Sequence, residues 1–88
     1  MEEFELDFSG VDDEDAFYDV LEEVLPLPAH FDRDLETLYD LLLEYGESWK
    51  IQVSGLDDAA EAMPAFTRRF RKACRNAMIE TPGLEIEF

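Results

Sequence analysis

Positive charge is scarce in this sequence. Seven Lys and Arg stand against 23 Asp and Glu in 88 residues, a formal net charge of −16. Phosphate binding uses Lys and Arg to displace counterions, so the chain offers no broad face for a nucleic-acid backbone. The same deficit excludes an anionic membrane leaflet as a partner. Cysteine is nearly absent. Cys74 stands alone, no internal disulfide can form, and a reducing compartment fits. No window nears the ~20 apolar residues of a membrane-spanning helix. The opening residues Met1-Glu2-Glu3-Phe4-Glu5 are acidic where a secretory signal is basic and then apolar. A soluble, cytoplasmic protein is expected.

Groups that carry catalysis are also thin. The four glycines are isolated at Gly10, Gly46, Gly55 and Gly83, so no phosphate-cradling loop exists. His30 is the single histidine and cannot complete a zinc site with one cysteine. No serine sits in a strand-to-helix elbow. Cys74 falls on an apolar helical stripe, the setting of a buried inert thiol. Asp32-Arg33-Asp34-Leu35-Glu36 begins like a calcium loop, but the glycine of the turn is missing and Arg33 intrudes. The run Asp12-Asp13-Glu14-Asp15 is better used for helix capping and first-turn charge. No enzyme activity, cofactor or metal is expected.

What the chain does have is a fold. Hydrophobic residues make up 47% and aromatics 12%, too many for a disordered acidic tail. The length allows one domain, 1–88, with a modest core. Phe4-Glu5-Leu6-Asp7-Phe8, Trp49-Lys50-Ile51-Gln52-Val53 and Leu84-Glu85-Ile86-Glu87-Phe88 alternate with period two and read as strands with one wet face. Helical patterns lie between them. Asp12 or Asp13 caps a helix with Ala16, Phe17, Val20, Leu21 and Val24 on its apolar side, which stops at Leu25-Pro26-Leu27-Pro28. Asp34 caps a second, with Leu35, Leu38, Leu42 and Tyr45 facing inward and Gly46 as C-cap. A short turn is expected from Asp57 to Met63. Pro64 opens a last helix that buries Phe66, Phe70, Cys74, Ala77 and Met78. Strands separated by helices pair in parallel, and right-handed crossovers on one face step the same way. The prediction is a two-layer α/β fold: a three-stranded parallel sheet, order 1-2-3, with helices packed on one face.

Charge is unevenly placed. Arg68, Arg69, Arg71, Lys72 and Arg75 fall within eight residues of the last helix, leaving Arg33 and Lys50 as the cations elsewhere. A solvated face that offsets self-repulsion explains the cluster, as does keeping another surface negative. Adaptation to a saline cytosol would also favour this composition. The second helix is the likeness of such a negative surface. Glu36 and Asp40 stand at i and i+4, where like charges repel. Asp32, Asp34, Glu44 and Glu47 add to that neighbourhood, and Tyr39, His30 and Phe31 supply aromatic groups. Acids that steer and aromatics that anchor suit a basic protein cleft; a solvated face of an acidic protein has the same composition.

The stretch Leu27-Pro28-Ala29-His30-Phe31-Asp32-Arg33-Asp34-Leu35-Glu36-Thr37-Leu38-Tyr39-Asp40-Leu41-Leu42 resembles the barstar family: a Leu-Pro, an aromatic pair, a polar turn, then a helix reading Leu-acid-x-Leu-aromatic-Asp. The strands and the first helix also fall where that family has them. The resemblance implies an intracellular inhibitor of a secreted ribonuclease such as barnase, an immunity protein or antitoxin. It implies that the second helix and the loop before it plug the enzyme's active site, with carboxylates in place of substrate phosphate. Asp40 matches the principal inhibitory aspartate and Glu36 a second helix acid. His30, Tyr39 and Tyr45 replace other aromatics. Phe31, Asp32, Arg33, Asp34 and Glu44 complete the expected partner-binding set. Asp32-Arg33 replaces a glycine-bearing turn, and Lys72 falls where the family has a contacting glutamate. The expected partner is a basic ribonuclease or other basic toxin protein, bound by a monomer, with no nucleic acid and no membrane. The alternative is a nucleic-acid mimic or an interaction module for a basic protein that is not a nuclease.

Overall fold

The computed structural model describes residues 2–29 and 31–88. The chain runs β1 (Glu2–Asp7), α1 (Glu14–Val24), α2 (Leu35–Tyr45), a 3₁₀ turn (Gly46–Ser48), β2 (Trp49–Ser54), α3 (Leu56–Ala62), α4 (Pro64–Glu80) and β3 (Glu85–Glu87). The sheet has the order β1-β2-β3 and both pairings are parallel. The two-layer α/β fold expected from the sequence is present.

Period-two alternation decides which side of the sheet is covered. Leu6, Ile51, Val53 and Ile86 point into the core and are buried. Glu3, Glu5, Asp7, Gln52, Glu85 and Glu87 are exposed on the other side. Register sets Glu3, Lys50 and Glu85 in one cross-strand row, and Glu5, Gln52 and Glu87 in the next. Opposite charges across neighbouring strands are favourable, so Lys50 relieves the acids beside it.

Aromatic packing joins the layers. Phe8 continues past β1, its N–H donating to the Ser54 carbonyl at 2.9 Å. Its ring stacks on Phe17 of α1 at 4.1 Å between centroids and 3° between planes. Phe66 and Phe70 of α4 meet Phe17 edge-on at 5.0 and 4.9 Å. Phe8 after β1 and both Phe66 and Phe70 of α4 therefore converge on Phe17, which has no exposed surface.

Helix boundaries follow the capping chemistry. Asp13, rather than Asp12, caps α1 by accepting from the Ala16 N–H at 2.8 Å. Asp34 caps α2 by accepting from the Thr37 N–H at 2.6 Å. Pro64 occupies the first turn of α4, as its missing N–H allows. Among the described residues, no helix is long and apolar enough to cross a membrane.

Three expectations about burial need correction, one of them Met78 of α4, which is half-buried. Tyr18 is buried and Ala16, Val20 and Val24 are half-buried, so the apolar stripe of α1 is rotated from the periodic reading. The cause is tertiary: Phe31 and Phe66 both pack edge-on against the Tyr18 ring, each at 5.9 Å. On α2, Leu41 is buried, whereas Tyr45 is 47% exposed rather than inward. Tyr45 ends the helix, and the chain turns at once through Gly46, leaving little core to cover the ring. Gly46 does cap the helix, with its N–H on the Leu42 carbonyl, but in right-handed backbone (φ −81°). Its lack of a side chain serves packing instead, because a Cβ there would lie 3.1 Å from Leu84 Cδ1.

Candidate functional site

Helix α2 is held from below and charged above. Leu35, Leu38, Leu41 and Leu42 are buried, fixing the rotation of the helix about its axis. Glu36, Asp40 and Glu44 then form an exposed ridge at i, i+4 and i+8. Among the described residues, none of the three makes a salt bridge within the chain. A row of like charges without internal partners costs helix stability, and binding an external cation relieves that cost.

Tyr39 lies between the ridge and α4. It is half-buried, and its hydroxyl donates to Glu80 Oε2 at 2.9 Å. That bond, with some desolvation, raises the phenol pKa above its ordinary value. Leu35, Glu36 and Tyr39 line an open groove with Arg69, Lys72, Ala73 and Asn76 of α4. No local pattern in the sequence assigns Arg69, Asn76 and Glu80 to this neighbourhood. The clue, weak without a fold, is that 69, 72, 73 and 76 share one helical face.

The loop before α2 is built inward. Phe31 is half-buried against Tyr18, and its N–H donates to the Pro28 carbonyl at 3.1 Å. Arg33 adopts left-handed backbone, φ 47°, which a side chain with a Cβ seldom takes. Its guanidinium reaches back to α1. Nε donates to Glu22 at 2.7 Å and Nη2 to Asp19 at 2.6 Å, with Asp15 at 4.0 Å. The bonds to Glu22 and Asp19 push its pKa further up. Arg33 therefore shapes the loop and faces α1 rather than joining the α2 ridge.

Asp32 is exposed beside that turn. The Asp34 carboxylate is committed to its cap. Bonds from Thr37, the backbone N–H first, hold it below the ordinary carboxylate range. The sequence places His30 in this loop, but it lies outside the described residues. Tyr45 is exposed one turn beyond Leu41. The structure thus brings Glu36, Tyr39, Asp40 and Glu44 onto one surface, sets Asp32 near its start, and diverts Arg33 and Asp34 to shaping it.

Nucleophile chemistry finds no support at the described residues. Cys74 is buried, and desolvation pushes its thiol up to about 12. No group of three or more His, Cys, Asp or Glu among the described residues is placed to hold a metal ion.

Residues 1–88, the whole chain, match the family described as Barstar (barnase inhibitor). The chain belongs to the barstar family. No curated protein matches it. Membership places the chain among barnase inhibitors.

Proposed function

We propose that this barstar-family protein is an immunity protein that inhibits a basic ribonuclease toxin by laying α2 across its active-site cleft. The observation that carries the reading is the ridge of Glu36, Asp40 and Glu44. It is exposed, without an internal cation among the described residues, and set on a helix whose rotation four buried leucines hold. Asp40 takes the principal phosphate position and Glu36 a neighbouring one, meeting the Arg, Lys and His that bind RNA in such an enzyme. Tyr39, Tyr45, Phe31 and His30 pack around them, and Asp32 adds charge at the entrance. Asp34 and Arg33 act indirectly, by fixing the start of the helix and the loop. Preorganisation of this kind saves the ordering cost of binding. The protein acts as a monomer in the cytoplasm, one copy per nuclease.

Titrating barnase activity with wild type and with Asp40→Ala tests this. Inhibition by wild type that Asp40→Ala weakens sharply supports it. An unchanged inhibition constant overturns the assignment of Asp40. Failure to inhibit any basic ribonuclease, with capture of a basic protein of another activity, favours the interaction-module reading.

A further inference from the structure

The five cations of α4 are not used inside the molecule as its other arginine is. Arg33 meets Asp19 and Glu22 at salt-bridge distance. Among the described residues, no carboxylate comes within salt-bridge distance of Arg68, Arg69, Arg71, Lys72 or Arg75, in a chain with 23 acids. Arg71 has a different contact, lying over the Phe88 ring at 5.6 Å. The helix macrodipole does not account for the rest. Its pull on cations is confined to the last turn, and the last turn of α4 holds none. Two of these cations, Arg69 and Lys72, line the groove that Glu36 and Tyr39 line from α2.

We infer that Arg69 and Lys72 select the partner: the nuclease this protein fits carries carboxylates on the rim of its basic cleft, opposite α4. The inference rests on the proposed function, since α2 must occupy the cleft for α4 to reach its rim. The binding face is then two-signed. Acids on α2 meet the cationic phosphate site, and cations on α4 meet an acidic margin one helix width away. A rim that is cationic throughout sets like charges against each other, the mismatch that excludes wrong partners. Both signs also fix the orientation of encounter, because a two-signed face docks favourably in one direction only.

Barnase serves as the probe. Wild type, Arg69→Glu/Lys72→Glu and the milder Arg69→Gln/Lys72→Gln are titrated against wild-type barnase and against barnase variants that each carry one Lys or Arg→Glu substitution outside the active site. Circular dichroism checks that each inhibitor variant is folded. Charge reversal is expected to tighten binding to wild-type barnase by roughly tenfold, with the Gln pair between, and the gain should shrink in high salt. At least one rim variant of barnase should invert the order, binding wild type better than the reversed inhibitor. Equal or weaker binding by the reversed inhibitor, absence of any inverting rim variant, or no complex with any form overturns the inference. Asp40→Ala, placed in each background, reports on α2 alone. If reversal changes affinity while Asp40→Ala does not, the α2 reading fails and the inference falls with it; if Asp40→Ala weakens binding in every background while reversal changes nothing, the inference alone fails.

Discussion

Helices α1 and α2 are built alike and used differently. Each is 11 residues long and each is capped by an aspartate that accepts from an N–H three residues on. Each carries acids on its outer side. On α1, Asp19 and Glu22 grip Arg33, so part of that charge is offset within the chain. On α2, Glu36, Asp40 and Glu44 have no such partner among the described residues, although two cations line the same groove as Glu36. Composition does not separate these helices. What separates them is where the one arginine of the preceding loop is sent. Acidity in this protein is therefore of two kinds, one holding the loop in shape and one without a cationic partner among the described residues.

The largest expected effect tests that division directly. Asp40→Ala should weaken nuclease inhibition by about 2–5 kcal/mol, a general range for truncating one partner of a buried charge pair, to which barnase–barstar complexes themselves contributed. That is roughly 30- to 5,000-fold in affinity, and stopped-flow dissociation should show most of it in the off-rate. Asp19→Ala, its counterpart on α1, should stay within roughly a few-fold of wild type. Similar losses from both would erase the distinction between the helices.

A smaller effect is expected at the clamp. Arg33→Ala removes the bonds to α1 and leaves a Cβ in left-handed backbone. Arg33→Gly removes the same bonds but suits that backbone. Both should speed amide hydrogen exchange at 31–34, and inhibition should weaken by roughly a few-fold through lost preorganisation, more for Ala than for Gly. Slower exchange in either variant would show that the clamp strains the loop instead of holding it.

The caps should give a smaller change again, in stability and pH dependence. The Asp34 carboxyl has a folded pKa below its ordinary value. Its stabilisation is thus complete above that ordinary value, about 3.9, and is lost as pH falls through the lower folded value. Asp34→Ala should melt below wild type at neutral pH, with the gap closing under strongly acidic conditions. A gap that widens in acid would contradict the assigned sign.

The smallest signal is the salt response of Glu44, farthest along the ridge from the capped end. Glu44→Gln should lower the association rate less than twofold at physiological ionic strength, and the difference should vanish by about 1 M salt, where screening acts within ~3 Å. Persistence of the difference at high salt would mean that Glu44 makes a close contact rather than steering.

The strands and the capped helices were legible because each is a local signal: alternation in β1, an aspartate before α2, proline at the start of α4. Parallel order followed from the helices between the strands. The ridge on α2 was legible too, since leucine spacing orients a helix and so orients its acids. Tyr18 and Tyr45 were misread for one reason. Helical period says which residues share a face, whereas burial depends on what covers that face, and Phe31, Phe66 and the early turn at Gly46 decided it. The destiny of Arg33 was not legible at all. Its partners lie 11 and 14 residues back on another helix, and no local rule pairs them. The α2–α4 groove was hidden likewise, because it joins residues thirty or more positions apart.

The bare side of the sheet gains a role once α2 is docked. Glu3 and Glu85 flank Lys50, and Glu5, Asp7 and Glu87 extend the same bare face opposite the helices. In the proposed complex that face would point away from the nuclease. A transcript drifting toward the complex from that side meets charge of its own sign before it nears the enzyme. In that complex the helix layer would stopper the cleft, and the acidic sheet face behind it would repel the substrate for which the cleft was made.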